Sequence, residues 1–136
     1  MLKKTIKYTD YNGNERTEDF YFNLTKAELI ELQMGTQGGL TEMVKRIVNV
    51  KDAPAMLELF KKIILKAYGT KSDDGRRFIK SAELSEEFEQ TEAYSELIIE
   101  LLTGEEAAIK FIKSIVPAEL SEKLPENVTD VDISTY

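Results

Sequence analysis

The side chains of this chain that could do chemistry are carboxylates, arginines and lysines, because its 136 residues include no histidine and no cysteine. That composition excludes Ser-His-Asp triads, Cys-His dyads and zinc sites built on imidazole or thiolate. It also excludes a disulfide framework. Only clusters of acidic and basic residues remain as candidate sites.

Aspartates around Gly75 suggest a calcium-binding loop. If Gly75 stood at position 6 of an EF-hand loop, Thr70 would fall at position 1 and Ser81 at position 12, where carboxylates are required. A loop starting at Asp10 places Tyr21 at position 12 and also fails. The spacing therefore does not support an EF-hand, and we expect no bound metal.

A second cluster is the segment Asp73-Asp74-Gly75-Arg76-Arg77. Its two guanidinium groups could bind phosphate oxygens, which arginine forks fit well. No GxxxxGK[ST] loop accompanies them, however, and the aspartates could partner the arginines of their own turn. For Arg76 and Arg77 the sequence leaves both a docking site and a self-contained turn open.

Neighbouring glutamates could in principle act as general acid and base. The candidates are Glu86, Glu87, Glu89, Glu105 and Glu106. A solvated helix face explains them more simply, and the last two stand at a predicted helix start, where the helix dipole stabilises negative charge. We therefore expect no catalytic residue, no cofactor and no enzymatic activity.

The N-terminal elements predict a β-hairpin. Residues 2–9 alternate apolar and polar side chains, and residues 16–22 end in the β-favouring run Phe-Tyr-Phe. The Asn12-Gly13 pair between them is a strong hairpin signal. The exposed hairpin edge could dock a partner by strand addition, although three nearby lysines would guard against uncontrolled pairing.

The hairpin register follows from the requirement that apolar side chains share one face. A three-residue loop over residues 12–14 pairs Ile6 with Phe20, whereas a two-residue loop would swap the faces. We therefore predict the odd loop, with Gly13 or Asn14 at positive φ.

The rest of the chain predicts four to six helices. Capping residues precede stretches in which apolar side chains recur at helical spacing. The predicted helices span about residues 25–34, 40–50, 53–68, 83–89, 91–103 and 105–116. Three glycines within residues 35–39 break the first, Gly69 ends the third, and residues 70–80 form an ordered polar loop.

These elements predict one α+β domain over residues 1–116, with the hairpin packed on a helical bundle. Residues 117–136 hold five acids, one lysine and two prolines, and we expect a flexible, mostly disordered acidic tail. The net charge of −7 argues against nucleic-acid binding, since that requires clustered cations. No secretory signal or membrane span is evident, which predicts a cytoplasmic protein.

A protein without catalytic groups would act through its surface. Consecutive aromatic residues in the second strand need cover on both faces, and wide apolar helix stripes can exceed what a core needs. Some of these candidates must belong to the core, and the sequence does not separate the two groups. The candidate partner-binding residues are Phe20, Phe22, Leu57, Phe60, Ile64, Arg76, Arg77, Phe111 and Ile115.

Two stretches resemble a known family. Residues 8–25, YTDYNGNERTEDFYFNLT, and residues 68–97, which include DGRRFIKS and QTEAYSEL, are similar to the tail assembly chaperones of long-tailed phages of Gram-positive bacteria. The resemblance covers roughly residues 3–118, which leaves the acidic tail outside it. It carries no catalytic residue over to this chain.

The resemblance implies a non-enzymatic helper in the cytoplasm of the infected bacterium. Such a protein binds the tape measure protein, keeps its long hydrophobic helix soluble and recruits tail tube subunits. It also implies a longer frameshifted form that would diverge in the acidic tail, and self-association remains open. The alternatives are a structural component of the virion tail and a host-directed regulator or inhibitor.

Overall fold

The computed structural model describes residues 1–35 and 53–116, and these form an antiparallel sheet with helices packed against it. The sheet has the order β1-β2-β3-β4. Its strands are β1 (Leu2–Thr9), β2 (Glu15–Phe22), β3 (Tyr68–Lys71) and β4 (Phe78–Ile79). The predicted α+β class with an N-terminal hairpin is confirmed.

Five helices lie in the described parts of the chain. They are α1 (Lys26–Gly35), α2 (Ala53–Ala67), α3 (Ala82–Glu89), α4 (Glu92–Thr103) and α5 (Glu105–Ile115). None of these is long and apolar enough to cross a membrane. The predicted helix over residues 40–50, the glycine break beyond Gly35 and the acidic tail over residues 117–136 lie outside the described residues.

Capping side chains set the starts of three helices. At α1, the Glu28 N–H donates to Thr25 Oγ1 at 3.1 Å, and the Thr25 N–H donates back to the Glu28 carboxylate at 2.9 Å. Ser81 caps α3 through the Leu84 N–H, and Thr91 caps α4 in the same way. Each cap satisfies backbone donors that the first helical turn leaves free, so these starts are set locally.

The first hairpin turns on residues 11–13, one residue earlier than predicted. The Asp10 N–H donates to the Asn14 carbonyl at 2.9 Å, and the Gly13 N–H donates to the Asp10 carbonyl at 3.0 Å. The Asp10 carboxylate also accepts the N–H groups of Asn12 and Asn14. This side chain fixes the turn, and Gly13 takes the predicted positive φ, at 83°.

The predicted pairing of Ile6 with Phe20 is therefore wrong. Ile6 lies opposite Glu18, and Phe20 lies opposite Lys4. The register differs from the predicted one by two residues, which leaves every side chain on its predicted face. The face with Ile6 and Phe22 is turned to the core, and the opposite face of β1 is exposed.

The predicted polar loop over residues 70–80 is wrong in part, because it contains a second hairpin. Gly69, predicted to end a helix, lies inside β3, and α2 ends at Ala67. Tyr21 of β2 pairs with Gly69, and β4 pairs with β3 through Thr70 and Lys71. A four-residue strand and a two-residue strand are too short to show a period, so their sequence gave no strand signal.

Aromatic side chains join the sheet to the helices. The rings of Tyr68 and Phe88 are stacked with centroids 4.5 Å apart, and Phe22 contacts Phe111 edge-on at 5.3 Å. Phe22 is fully buried, and removing such a side chain from water contributes about 2 kcal/mol. The core therefore lies between the inner face of the sheet and helices α1 to α5.

Candidate functional site

Burial divides the candidate partner-binding residues into two groups. The five that are at most 5% exposed are Phe22, Phe60, Ile64, Phe111 and Ile115. All five belong to the core cluster, and one of them, Phe111, also lines a groove described below. The sequence had left this alternative open, because apolar spacing alone does not distinguish a core stripe from a binding stripe.

The other four candidates lie at or near the surface. Phe20 is half-buried against Tyr8 and Phe88. Leu57 on α2 is 41% exposed, and Arg76 and Arg77 are exposed in the turn between β3 and β4. None of these four residues lines either of the two grooves described below.

The turn that carries the two arginines is held by other groups. The buried Ser72 hydroxyl donates to Asp74 at 2.8 Å and accepts the Arg77 N–H at 3.0 Å. Asp74 accepts the Arg76 N–H at 3.0 Å, and these hydrogen bonds lower the pKa of its carboxyl. Within the described part of the chain, neither guanidinium forms an ion pair. The Ser72 and Asp74 side chains thus hold the turn through its backbone N–H groups, and both arginine side chains are exposed.

Two exposed apolar residues on α1 were not among the candidates. Ile30 is 58% exposed and Met34 is 85% exposed, and their spacing places them on one side of the helix. Leu29 and Leu32 of the same helix are buried. Helix α1 therefore carries apolar side chains on both its buried and its exposed faces, a signal that the sequence contained.

A lysine beside α1 forms the most enclosed ion pair among the described residues. Lys80 Nζ donates to the two Glu28 oxygens at 2.6 and 2.8 Å, to the Asn23 carbonyl at 2.6 Å and to the Lys66 carbonyl at 2.8 Å. Burial lowers the pKa of Lys80. Burial alone would raise the pKa of Glu28, but hydrogen bonds from Lys80 and Thr25 outweigh it and hold this pKa below its usual value. The group ties α1, α2 and β4 together.

Two grooves lie between strand β1 and helices α4 and α5. The larger, about 340 Å³, is lined by Leu2, Lys4, Glu100, Leu101, Ala107, Lys110, Phe111 and Ser114. The smaller, about 200 Å³, is lined by Lys4, Thr5, Ile6, Lys7, Glu96, Leu97 and Glu100. They meet at the ion pair between Lys4 and Glu100, whose charged atoms are 2.8 Å apart.

The glutamates named as candidates lie at or near the surface. Glu86, Glu87, Glu105 and Glu106 are exposed, and Glu89 is paired with a lysine of α2 at 3.0 Å. Residues 1–35 and 53–116 contain no group of three or more carboxylates that could hold a metal ion. What the described surface offers is apolar side chains, cations and a strand edge, which suit contact with another protein.

Comparison with known proteins defines the class. A family model described as phage tail assembly chaperone matches residues 1–134. The chain belongs to this family of bacteriophage tail assembly proteins, and the resemblance read from the sequence is confirmed. The match continues past residue 118, so the expectation that the acidic tail lies outside the resemblance was wrong. No curated protein and no solved structure gave a match.

Proposed function

We propose that this protein binds the tape measure protein of its phage, keeps that protein soluble and recruits tail tube subunits, without enzymatic activity, in the cytoplasm of the infected bacterium. The observation that carries the proposal is membership of the tail assembly chaperone family over nearly the whole chain. The core buries most of the predicted contact residues, so the binding surface must be sought among the exposed ones.

The surface of α1 and α2 supports binding of an apolar helical client. Ile30, Met34 and Leu57 expose apolar side chains, and an amphipathic helix buries such groups when it docks. The net charge of −7 keeps a complex soluble by repulsion between copies. A chaperone that must later release its client benefits from contacts of this kind, because burial of a few apolar side chains is reversible.

The test is co-expression with a tape measure fragment encoded in the same genome. We expect the fragment to remain soluble in a defined complex, measured by affinity pull-down and light scattering, and to precipitate without the chaperone. Tail tube protein added to the complex should be retained on it. A fragment that precipitates equally with and without this protein would contradict the proposal.

Matched variants locate the surface. The double variant Ile30→Ser and Met34→Ser should weaken binding of the tape measure fragment at least about tenfold, which corresponds to loss of about 1.4 kcal/mol. Ile99→Ser on α4 is the control, since Ile99 is 55% exposed and lies on another helix. If both variants weaken binding equally, α1 is not the contact.

The protein content of purified virions distinguishes a chaperone from a structural tail protein. We expect the protein in lysates during assembly and not in finished particles. Its stoichiometric presence in mature tails would favour a virion structural component instead.

A further inference from the structure

Strand β1 presents a free edge. The hydrogen bond from the Asp10 N–H to the Asn14 carbonyl sets the alternation of the ladder, in which hydrogen-bonded pairs recur every second residue. Even-numbered residues of β1 therefore bond to β2, and the N–H and C=O groups of Lys3, Thr5, Lys7 and Thr9 point away from it. In the sheet formed by the described residues, β2 is the neighbour of β1 on one side, and no strand adjoins the other.

The edge of β1 is bordered by an apolar groove and by lysine side chains. Leu2, Leu101 and Phe111 line the larger groove, which borders β1 at Leu2 and Lys4. Lysines 3, 4, 7 and 110 lie on or next to it, and of these Lys4 is paired with Glu100 and Lys7 with Glu15. Within the described residues, Lys3 and Lys110 form no ion pair, so positive charge remains available along this edge. The edge therefore suits a strand with apolar side chains on one face and carboxylates on the other.

Within residues 128–135, VTDVDIST, the four residues 130–133 have this pattern in the sequence. Val131 and Ile133 alternate with Asp130 and Asp132, and such alternation is typical of a strand with one buried face. The match to the chaperone family runs to residue 134 and so includes nearly all of this segment.

We propose that residues 128–135 of the same chain add to the free edge of β1 as a further strand. In a sheet that continues the pleat of β1, Val131 and Ile133 would lie over the apolar groove, on the side of Ile6. Asp130 and Asp132 would lie on the outer face beside Lys3 and Lys7, where opposite charges on neighbouring strands stabilise pairing. Because side chains alternate between the two faces, a register that places the apolar pair over the groove also places the two aspartates on the outer face.

The chain is long enough for this contact within one molecule. Ser114 lines the larger groove, and the described part of the chain ends two residues later, at Val116. Residues 117–127 can span at most about 36 Å, whereas an eight-residue strand is about 27 Å long. Attachment to the same chain gives the segment an effective concentration of the order of millimolar, which favours it over a second copy.

Pairing of β1 with β1 of a second copy is disfavoured by charge. Two such edges would bring the lysines of both strands together, and like charges on neighbouring strands destabilise a sheet. The lysines therefore disfavour pairing between two copies and favour pairing with an acidic strand. Such a strand would cover the otherwise open edge. This inference does not depend on which phage protein the chaperone binds.

Spin labelling of the full chain tests the contact. The chain has no cysteine, so a nitroxide attached to Ser134→Cys is the single label. We expect it to broaden the amide resonances of Lys3, Thr5 and Lys7. In a mixture of labelled chains with unlabelled isotope-enriched chains, we expect no such broadening. Broadening that occurs only in the mixture would assign the edge to a second copy, and absence of broadening in both samples would exclude the contact; each overturns the proposal.

Charge reversal provides a second measurement. Asp130→Lys with Asp132→Lys should speed amide hydrogen exchange at Thr5 and Lys7 at least about tenfold, because those N–H groups lose their acceptors. The control pair Glu119→Lys and Glu122→Lys makes the same charge change outside the segment and should leave exchange unchanged. Equal exchange in the two double variants would contradict strand addition, even if both remain folded.

Discussion

At the scale of single residues, Lys80 gives the clearest case of a charge that the fold has enclosed for a structural purpose. Its ammonium group meets one carboxylate and two backbone carbonyls, so all its protons have acceptors. The carbonyl of Lys66 belongs to the last turn of α2, where a cation is favoured by the helix dipole. Lys80 thus satisfies groups from three separate parts of the chain.

Replacing Lys80 with methionine should destabilise the protein by about 2 kcal/mol, because Glu28 keeps its charge without the cation and two carbonyls lose their donor. The pair is partly solvated, which keeps the loss below that of a fully buried pair. Urea unfolding measures the change, and Lys62→Met, at an exposed position of α2, is the matched control. Equal stability of the two variants would show that the Lys80 contacts contribute nothing net.

Gly69 is required where β3 passes close to β4. A Cβ at this position would lie 2.5 Å from the Ile79 carbonyl oxygen and 2.7 Å from the Phe78 ring. Gly69→Ala should therefore lower the free energy of unfolding by about 2–3 kcal/mol, since the backbone must move. Gly104→Ala is the control, because its nearest neighbour would be 3.4 Å away. Thermal unfolding that shifts equally in both variants would contradict this account.

At the scale of elements, features set by neighbouring residues were predicted correctly from the sequence, whereas pairing between distant segments was not. The caps of α1, α3 and α4 use side chains within three residues of the backbone they satisfy, and helices beginning near these positions were predicted. Strands β3 and β4 exist because the edge of β2 offers partners, and this information lies elsewhere in the sequence. The Asp10 side chain moves the turn of the first hairpin by one residue, because its carboxylate accepts two N–H groups of the turn. Residue spacing alone does not reveal this effect.

The β3–β4 turn should depend on Ser72 and not on its two arginines. Ser72→Ala removes a donor to Asp74 and an acceptor for the Arg77 N–H in a buried position, and should lower stability by about 1–2 kcal/mol. The double variant Arg76→Ala and Arg77→Ala should change it by no more than about 0.5 kcal/mol. Chemical denaturation compares the two. A larger loss in the arginine variant would mean that the guanidinium groups hold the turn.

At the scale of the whole molecule, the sequence predicted the class of fold and the family but not the surface. Phe60 and Leu57 lie three residues apart on the same helix, yet one is buried and the other is exposed. Which side of a wide stripe faces the core depends on how α2 packs against the sheet and the other helices. Candidate residues chosen by apolar type were therefore mostly core, and the exposed pair on α1 was missed.

The hairpin and the helices should unfold as one unit. The Phe22 ring of β2 contacts Tyr68 of β3, Phe88 of α3 and Phe111 of α5, so the hairpin loses its core when the helices separate. In urea, helix content by circular dichroism and tyrosine fluorescence, which reports in part on the sheet, should give coincident transitions.

Phe22→Leu should move both transitions to lower urea by the same amount, with a loss of about 1–2 kcal/mol from imperfect filling of the ring's space. Tyr21→Leu is the comparison, because Tyr21 is the adjacent, partly exposed residue on the opposite face of β2 and should cause a smaller shift of both probes. A hairpin that behaved as a separate module would lose its tyrosine signal first in the Phe22 variant while the helical signal kept its midpoint. The contacts of Phe22 across three elements argue for the single transition, since no part of the core is confined to the sheet alone.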